Sequence, residues 1–135
     1  MGTARFGGEE KKEENLTQTG VIMGTVNYMS PEQARDAHSV DYRTDIYSLG
    51  CTFYYLLTGK PLYEGDMIKT LLAHAREPIP SLQEYDHHIP SWVDETLKRM
   101  LAKNPDDRFQ SIGELIESIE LGVRSEQDDD DDESR

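Results

Sequence analysis

The sequence predicts a mainly α-helical fold that follows a long polar loop. Three observations carry this prediction. Apolar residues recur at helical spacing in four segments of the second two thirds of the chain. Two of those segments open on a Ser-x-x-Asp or Ser-x-x-Glu pattern, which is typical of a capped helix N-terminus. Residues 7–20, in contrast, are polar and follow neither the helix period nor the strand period, which favours a loop.

Four helices are expected in order along the chain. They cover Thr44–Thr58, Met67–Arg76, a segment that opens at Ser91 and a segment that opens at Ser111. Asp66 is the expected N-cap of the second helix, and Gly59 and Pro78 stand just beyond the ends of the first and second. Residues 79–90 hold two further prolines and are predicted to form an extended connection.

The first of these helices is apolar around nearly its whole circumference. Ile46, Leu49 and Phe53 line one side, and tyrosines add apolar bulk around the rest. A helix of this kind is normally buried on all sides, so it needs several neighbours. Where such neighbours are missing, we expect the face of Ile46, Leu49 and Phe53 to lack cover and the chain to be loosely folded, self-associating or dependent on a partner.

These patterns divide the chain into three parts. Residues 1–23 are the predicted loop, residues 24–122 the helical part, and residues 123–135 an acidic tail. Because the tail carries a run of aspartates, like-charge repulsion is expected to keep it disordered.

Composition excludes several classes of protein. The net charge of −13 argues against a nucleic-acid binder, which needs lysine and arginine against phosphate. One cysteine forms no internal disulfide, no apolar run is long enough to cross a membrane, and the N-terminus lacks the apolar core of a signal peptide. A reducing, cytoplasmic setting is therefore expected.

Three motifs follow one another in the helical part. Residues 24–33 contain Gly-Thr and Tyr-x-Ser-Pro-Glu, residues 40–50 contain Asp-x-Tyr-Ser-x-Gly, and residues 104–109 read Asn-Pro-Asp-Asp-Arg-Phe. In this order and spacing they resemble the second half of a serine/threonine protein kinase domain, particularly the bacterial type. The resemblance covers nearly the whole chain. It implies a partial kinase C-lobe, with an activation segment and about four helices, and no N-lobe.

The resemblance also implies roles for residues of the activation segment. Gly24, Thr25 and Tyr28 match the segment that docks the substrate, and Thr17 and Thr19 match threonines that related bacterial kinases phosphorylate. A phosphate there would add nearly two negative charges, able to order a loop against a cationic partner. Read without the family, Gly-Thr is a turn and the two threonines are ordinary loop residues.

A second set of residues is implied to be structural. Its members are Ser30, Pro31, Glu32, Asp45, Gly50 and Arg108. Glu32 and Arg108 match the partners of a buried salt bridge, which would close the end of the activation segment onto the last helices. Asp45 matches the carboxylate that binds the backbone of the catalytic loop. Read from the helix alone, it is an N-terminal acid favoured by the helix dipole.

No catalytic, cofactor-binding or metal-binding residue is expected in this chain. It contains no glycine-rich phosphate loop, and its four histidines lack metal-site spacing. Residues 2–6 resemble the continuation of the family's Asp-Phe-Gly, without the aspartate that holds magnesium. The resemblance implies ATP and Mg²⁺ for the intact kinase only, held by groups that should lie before Met1.

The resulting expectation is a fragment of a serine/threonine protein kinase that is inactive alone. Its partners would be the missing N-terminal half or another kinase, together with protein substrates. Two alternatives stay open: a free-standing module that binds substrates or partners, and a non-functional gene remnant.

Overall fold

The computed structural model describes residues 26–36, 38 and 40–133. Six α-helices lie wholly within these residues: α1 Pro31–Arg35, α2 Tyr42–Thr58, α3 Met67–Arg76, α4 Leu82–Tyr85, α5 Ser91–Met100 and α6 Ile112–Glu133. A 3-10 turn over Pro105–Asp107 precedes the last helix. The described residues include no strand, so the mainly helical prediction is confirmed.

Helix α2 is the centre of the fold. It packs on α5, α5 packs on α6, and α1 packs on α3. The core residues come from all parts of the helical region: Ile46, Tyr47, Cys51, Tyr54, Leu62, Leu82, Leu97, Met100, Leu101, Phe109 and Leu115. Gly50 lets α2 approach the end of α5, because a Cβ there would lie 2.9 Å from Cδ2 of Leu101.

The caps of α2 and α3 confirm most of what the sequence predicts for the ends of these two helices. Helix α3 has the predicted bounds, and the Asp66 carboxylate accepts a hydrogen bond from the backbone N–H of Lys69 at 2.8 Å. Helix α2 ends at Gly59, whose φ of 75° is in the left-handed region. It begins two residues earlier than predicted because Asp41, which is not part of the apolar pattern, caps it.

The connection between α3 and α5 differs from its prediction. Residues 79–90 are not wholly extended, since α4 lies within them. Pro90, not Ser91, is the N-cap of α5, and Ser91 is already helical. The Asp94 carboxylate serves α4 instead, accepting hydrogen bonds from the Leu82 N–H at 2.7 Å and the Ser81 hydroxyl at 3.1 Å. Asp94, which has the spacing of a capping-box residue for α5, thus forms a tertiary contact with α4 instead.

The prediction of a disordered tail from residue 123 is wrong for most of its length. Helix α6 continues to Glu133. Gly122, where the apolar pattern stops, does not end the helix, since it is buried against the Trp92 ring of α5. A Cβ at Gly122 would lie 2.2 Å from Cδ2 of Trp92, so glycine is required here for close packing. Once anchored there, the helix propagates one hydrogen bond per added residue.

A membrane-crossing helix would need a long and apolar sequence. None of the helices in the described ranges meets that requirement.

Candidate functional site

The Ser-Pro-Glu motif forms a rigid helix start. The Ser30 hydroxyl accepts a hydrogen bond from the Gln33 N–H at 3.2 Å, and the Gln33 side chain accepts one from the Ser30 N–H at 2.9 Å. Pro31 occupies the first helical position, where a missing N–H costs nothing. This reciprocal capping box fixes the short helix α1 and turns Glu32 towards the interior, where it is 2% exposed.

Glu32 meets Arg108, as the family resemblance implied. Nη1 of Arg108 lies 2.6 Å from Oε2 of Glu32, and Nη2 lies 2.9 Å from Oε1. The two side chains are almost fully buried and 76 residues apart. Such a two-pronged pair is among the strongest hydrogen-bonded ion pairs in proteins, and it joins α1 to the segment before α6.

The remaining polar atoms of the pair are also satisfied. Arg108 donates to the backbone carbonyls of Ala102 at 2.8 Å, Arg43 at 3.1 Å and Lys103 at 3.3 Å. The Thr44 hydroxyl donates to Glu32 at 2.8 Å. Burial by itself would raise the pKa of Glu32, but the hydrogen bonds from Arg108 and Thr44 outweigh it and hold that pKa below its ordinary value.

A second ionic cluster, which the sequence did not predict, lies at the surface beside this pair. Arg43 bridges Asp41 at 2.9 Å and Asp106 at 2.8 Å, and it also donates to Gln110 at 3.1 Å. It links the start of α2 to the 3-10 turn. Because its members are partly exposed, we expect it to contribute far less to stability than the buried pair.

The predicted substrate-docking residues are only partly described. Tyr28 is partly buried against the core, and its backbone carbonyl accepts a hydrogen bond from the Ser48 hydroxyl of α2 at 2.7 Å. Gly24, Thr25, Thr17 and Thr19 lie outside the described residues.

Asp45 lies in the first turn of α2 and is exposed. The described residues supply it with no hydrogen-bond donor, so its implied contact with a catalytic loop stays a prediction.

A buried polar cluster that the sequence did not predict lies between α2 and α3. The Tyr47 hydroxyl is 2.7 Å from Nδ1 of the fully buried His74. The His74 ring also interacts with the backbone of Val26 and Asn27, but its Nε2 has no well-aligned hydrogen-bond partner among the described residues. The Lys103 ammonium donates to the Tyr63 hydroxyl at 2.8 Å. Burial, with some help from the positive charge of Lys103, lowers the pKa of His74 to about 4, and burial lowers that of Lys103 to about 8.

The depressed pKa of His74 predicts acid sensitivity. The unfolded chain binds this proton near pH 6.5 and the folded chain only near pH 4, so the contribution is complete above pH 6.5 and is lost as the pH falls towards 4. Between pH 7 and pH 5 the free energy of unfolding should drop by about 2 kcal/mol more in the natural chain than in His74→Asn. Urea unfolding of both chains at each pH measures this. Parallel pH dependences would contradict it.

Three exposed residues after α4 could offer metal ligands. The ligand atoms of Asp86, His87 and His88 lie within 4.8 Å of one another. Asp86 also accepts hydrogen bonds from the backbone N–H of His88 at 2.9 Å and pairs with its ring at 3.1 Å. These bonds are those of a local turn, which accounts for the cluster without a metal.

Comparison with known proteins agrees with this architecture. The protein kinase domain family matches residues 2–118, and the chain therefore belongs to the protein kinase family. It is 42% identical over 103 residues to the serine/threonine-protein kinase PknE of Mycobacterium tuberculosis (strain ATCC 25618 / H37Rv), which covers 76% of this chain and 18% of that protein. It is 45% identical over 103 residues to the serine/threonine-protein kinase PknB of Mycobacterium leprae (strain TN), which covers 75% of this chain and 16% of that protein. The chain thus spans less than a fifth of the length of these relatives.

Proposed function

We propose that this chain is the substrate-docking part of the C-lobe of a serine/threonine protein kinase. The parent reaction would transfer the γ-phosphate of ATP to a serine or threonine hydroxyl of a protein. Gly24, Thr25 and Tyr28 would dock the substrate, and Thr17 and Thr19 would be phosphorylated. The other half of the kinase domain would be its partner, in a cytoplasmic setting.

The buried pair of Glu32 and Arg108 is the observation that carries this proposal. It fixes the start of α1 on the body of the fold, and the Ser48 hydroxyl holds the backbone of Tyr28, just before α1, on α2. A docking segment must be held in one geometry to present a hydroxyl to a catalytic group. Two independent anchors within a few residues of Thr25 would supply that geometry.

The catalytic groups would come from the other half of the domain. Phosphoryl transfer needs a lysine and a glycine-rich loop on the phosphates, an aspartate at the hydroxyl and ligands for Mg²⁺. This sequence contains none of these motifs, and the described residues offer no set that fits ATP with Mg²⁺. We therefore derive no catalytic step from the residues of this chain.

An uncovered face of α2 supports the need for that half. Leu56 is 72% exposed, and Leu57 and Tyr55 are about half exposed. Phe53, Leu56 and Leu57 line one side of an apolar cavity of about 270 Å³ that Trp92 and Ile119 close on the other. The predicted face is partly wrong, since Ile46 is fully buried and the exposed residues lie nearer the end of the helix. Large apolar side chains exposed together usually mark an interface.

The isolated chain should neither bind ATP nor transfer phosphate. The motif set described above is missing, and positioning with charge neutralisation is almost the whole of this catalysis. We expect incubation with labelled ATP, Mg²⁺ and a general serine/threonine acceptor protein to give a signal equal to the buffer blank. Titration calorimetry checks binding separately, and saturable heat on addition of ATP would refute this part of the proposal.

A further inference from the structure

A groove with unusual charge lies between α1 and α3. It has a volume of about 840 Å³, and residues 103–105 close one end. Leu71 and Leu72 provide apolar surface, whereas Arg35 and Arg76 stand at the rim, one on each helix. In a chain with a net charge of −13, two arginines beside one groove form a local cationic region.

Both arginines are available to a ligand. Arg35 and Arg76 are exposed, and neither forms an ion pair or a side-chain hydrogen bond within the described part of the chain. Lys103, the third cation of the groove, contacts the Tyr63 hydroxyl and the Ala73 carbonyl but no carboxylate. Arg43, by comparison, is held by two carboxylates. The groove therefore presents two exposed arginines that no acid of the described residues pairs with, and beside them Lys103, which interacts electrostatically with Glu77.

The opposite charge is concentrated at the end of α6. The helix carries five consecutive aspartates from Asp128 and then Glu133 in its last turns. This composition opposes a helix, because aspartate is a poor helix former and negative charge is unfavourable at a helix C-terminus. Leu121 and Val123, which precede the acidic run, are 56% and 41% exposed. A surface that combines cationic and apolar side chains would therefore stabilise this segment as a helix.

We propose that the groove between α1 and α3 binds the acidic end of α6, residues 121–133, from a second copy of this chain. Leu121 and Asp128 lie seven residues apart and therefore share one face of α6, so that Leu121 would lie on Leu71 and Leu72 while Asp128 and the acidic run after it would meet Arg35 and Arg76. This dimer contact goes beyond the proposed kinase function and does not depend on it.

A second copy fits better than the chain's own helix. Helix α6 packs on α5, while the groove belongs to α1 and α3, and neither Arg35 nor Arg76 pairs with an acid among the residues that the structure describes. If each copy gives its helix end to the other, both contacts form in one closed dimer with twofold symmetry. The area available is small, so the association should be weak, at the low end of specific interfaces, and strongly dependent on salt.

Sedimentation equilibrium of the full chain tests the proposal. We expect dimers at about 50 mM salt. At about 500 mM salt the dissociation constant of the dimer should be about tenfold higher, because screening weakens exposed charge pairs. Arg76→Glu and Arg35→Glu should each weaken the dimer by about tenfold or more at low salt. Replacing Asp128 and the next four aspartates by asparagine should have the same effect.

Lys60→Glu is the matched control. Lys60 is exposed, lies outside the groove and changes the net charge by the same amount, so it should leave dimerisation within about twofold of the natural chain. Circular dichroism shows whether each variant keeps its helices. If a variant loses its helices, a second measurement replaces sedimentation. A labelled peptide of residues 120–135 is titrated with the natural chain and with the Arg76→Gln chain, and its fluorescence anisotropy reports binding.

A monomer at every concentration would overturn the proposal. So would an association that is indifferent to salt and to Arg76→Glu, which would assign self-association to the apolar face of α2. The phosphate assay is unaffected by either outcome, so failure here leaves the kinase proposal to be judged on its own test.

Discussion

Arg108→Ala and Glu32→Ala should each lower the free energy of unfolding by about 3–5 kcal/mol, because each leaves the other group charged, buried and unpaired. Arg108 should be the more severe change, since its side chain also holds the carbonyls of Ala102, Arg43 and Lys103. The double variant should lose much less than the sum of the single losses. Urea unfolding followed by circular dichroism measures all three variants.

The surface pair of Arg124 and Glu120 is the control for this cycle. Its atoms are 4.0 Å apart and both side chains are more than half exposed, so removing either partner should cost less than about 1 kcal/mol. Arg108→Lys keeps the charge but loses the paired hydrogen bonds of the guanidinium. Its free energy of unfolding should lie between those of the natural chain and Arg108→Ala. Additive losses for Glu32 and Arg108 would contradict the role given to this pair.

Gly122→Ala should destabilise the chain by about 3 kcal/mol, at the upper end of the usual cost of overpacking. The new Cβ would lie 2.2 Å from Cδ2 and 2.3 Å from Cε3 of Trp92, and because the fused ring is rigid, the whole indole or the helix must shift to relieve the clash. In an exposed helix the same substitution would stabilise by about 1 kcal/mol, so the sign of the effect reports the packing.

Gly113→Ala in the same helix is the matched control. The nearest atom to its Cβ is the Ser111 hydroxyl at 3.6 Å, an ordinary contact, so this change should be neutral or slightly stabilising. Gly122→Ala with Trp92→Leu should recover part of the loss, because the smaller side chain leaves space for the methyl group. Equal effects at the two glycines would contradict the packing described for α5 and α6.

Much of the fold could be predicted from the sequence because its signals are local. The apolar period of α2 and α3, the Asp66 cap and the left-handed Gly59 depend only on neighbouring residues. The pair of Glu32 and Arg108 is a long-range contact, and it was predictable only through the family resemblance.

The rest depends on contacts that no local pattern encodes. Asp94 has the spacing of a cap for α5 but its carboxylate holds α4, and Gly122 reads as a helix end but accommodates Trp92. The cluster of His74 and Lys103 joins polar residues from separate helices and loops, so their spacing in sequence carries no signal. In each case tertiary packing selects one of two local structures that the sequence pattern allows.

The claim that this chain is part of a kinase C-lobe is tested most directly by a chimera. The corresponding region of a relative such as the Mycobacterium leprae PknB, matched at 45% identity, would be replaced by residues 2–118 of this chain. On the proposed function, the upstream part of the relative would supply the groups for ATP and Mg²⁺ and would cover the apolar face of α2.

Phosphate transfer to a serine/threonine acceptor by this chimera is the measurement. We expect transfer well above that of either part alone, with loss of activity in the Thr25→Val chimera. Transfer to threonine by the relative's unaltered domain provides the positive control. A chimera that folds and binds ATP, yet phosphorylates nothing above the level of its separate parts, would contradict the proposed function.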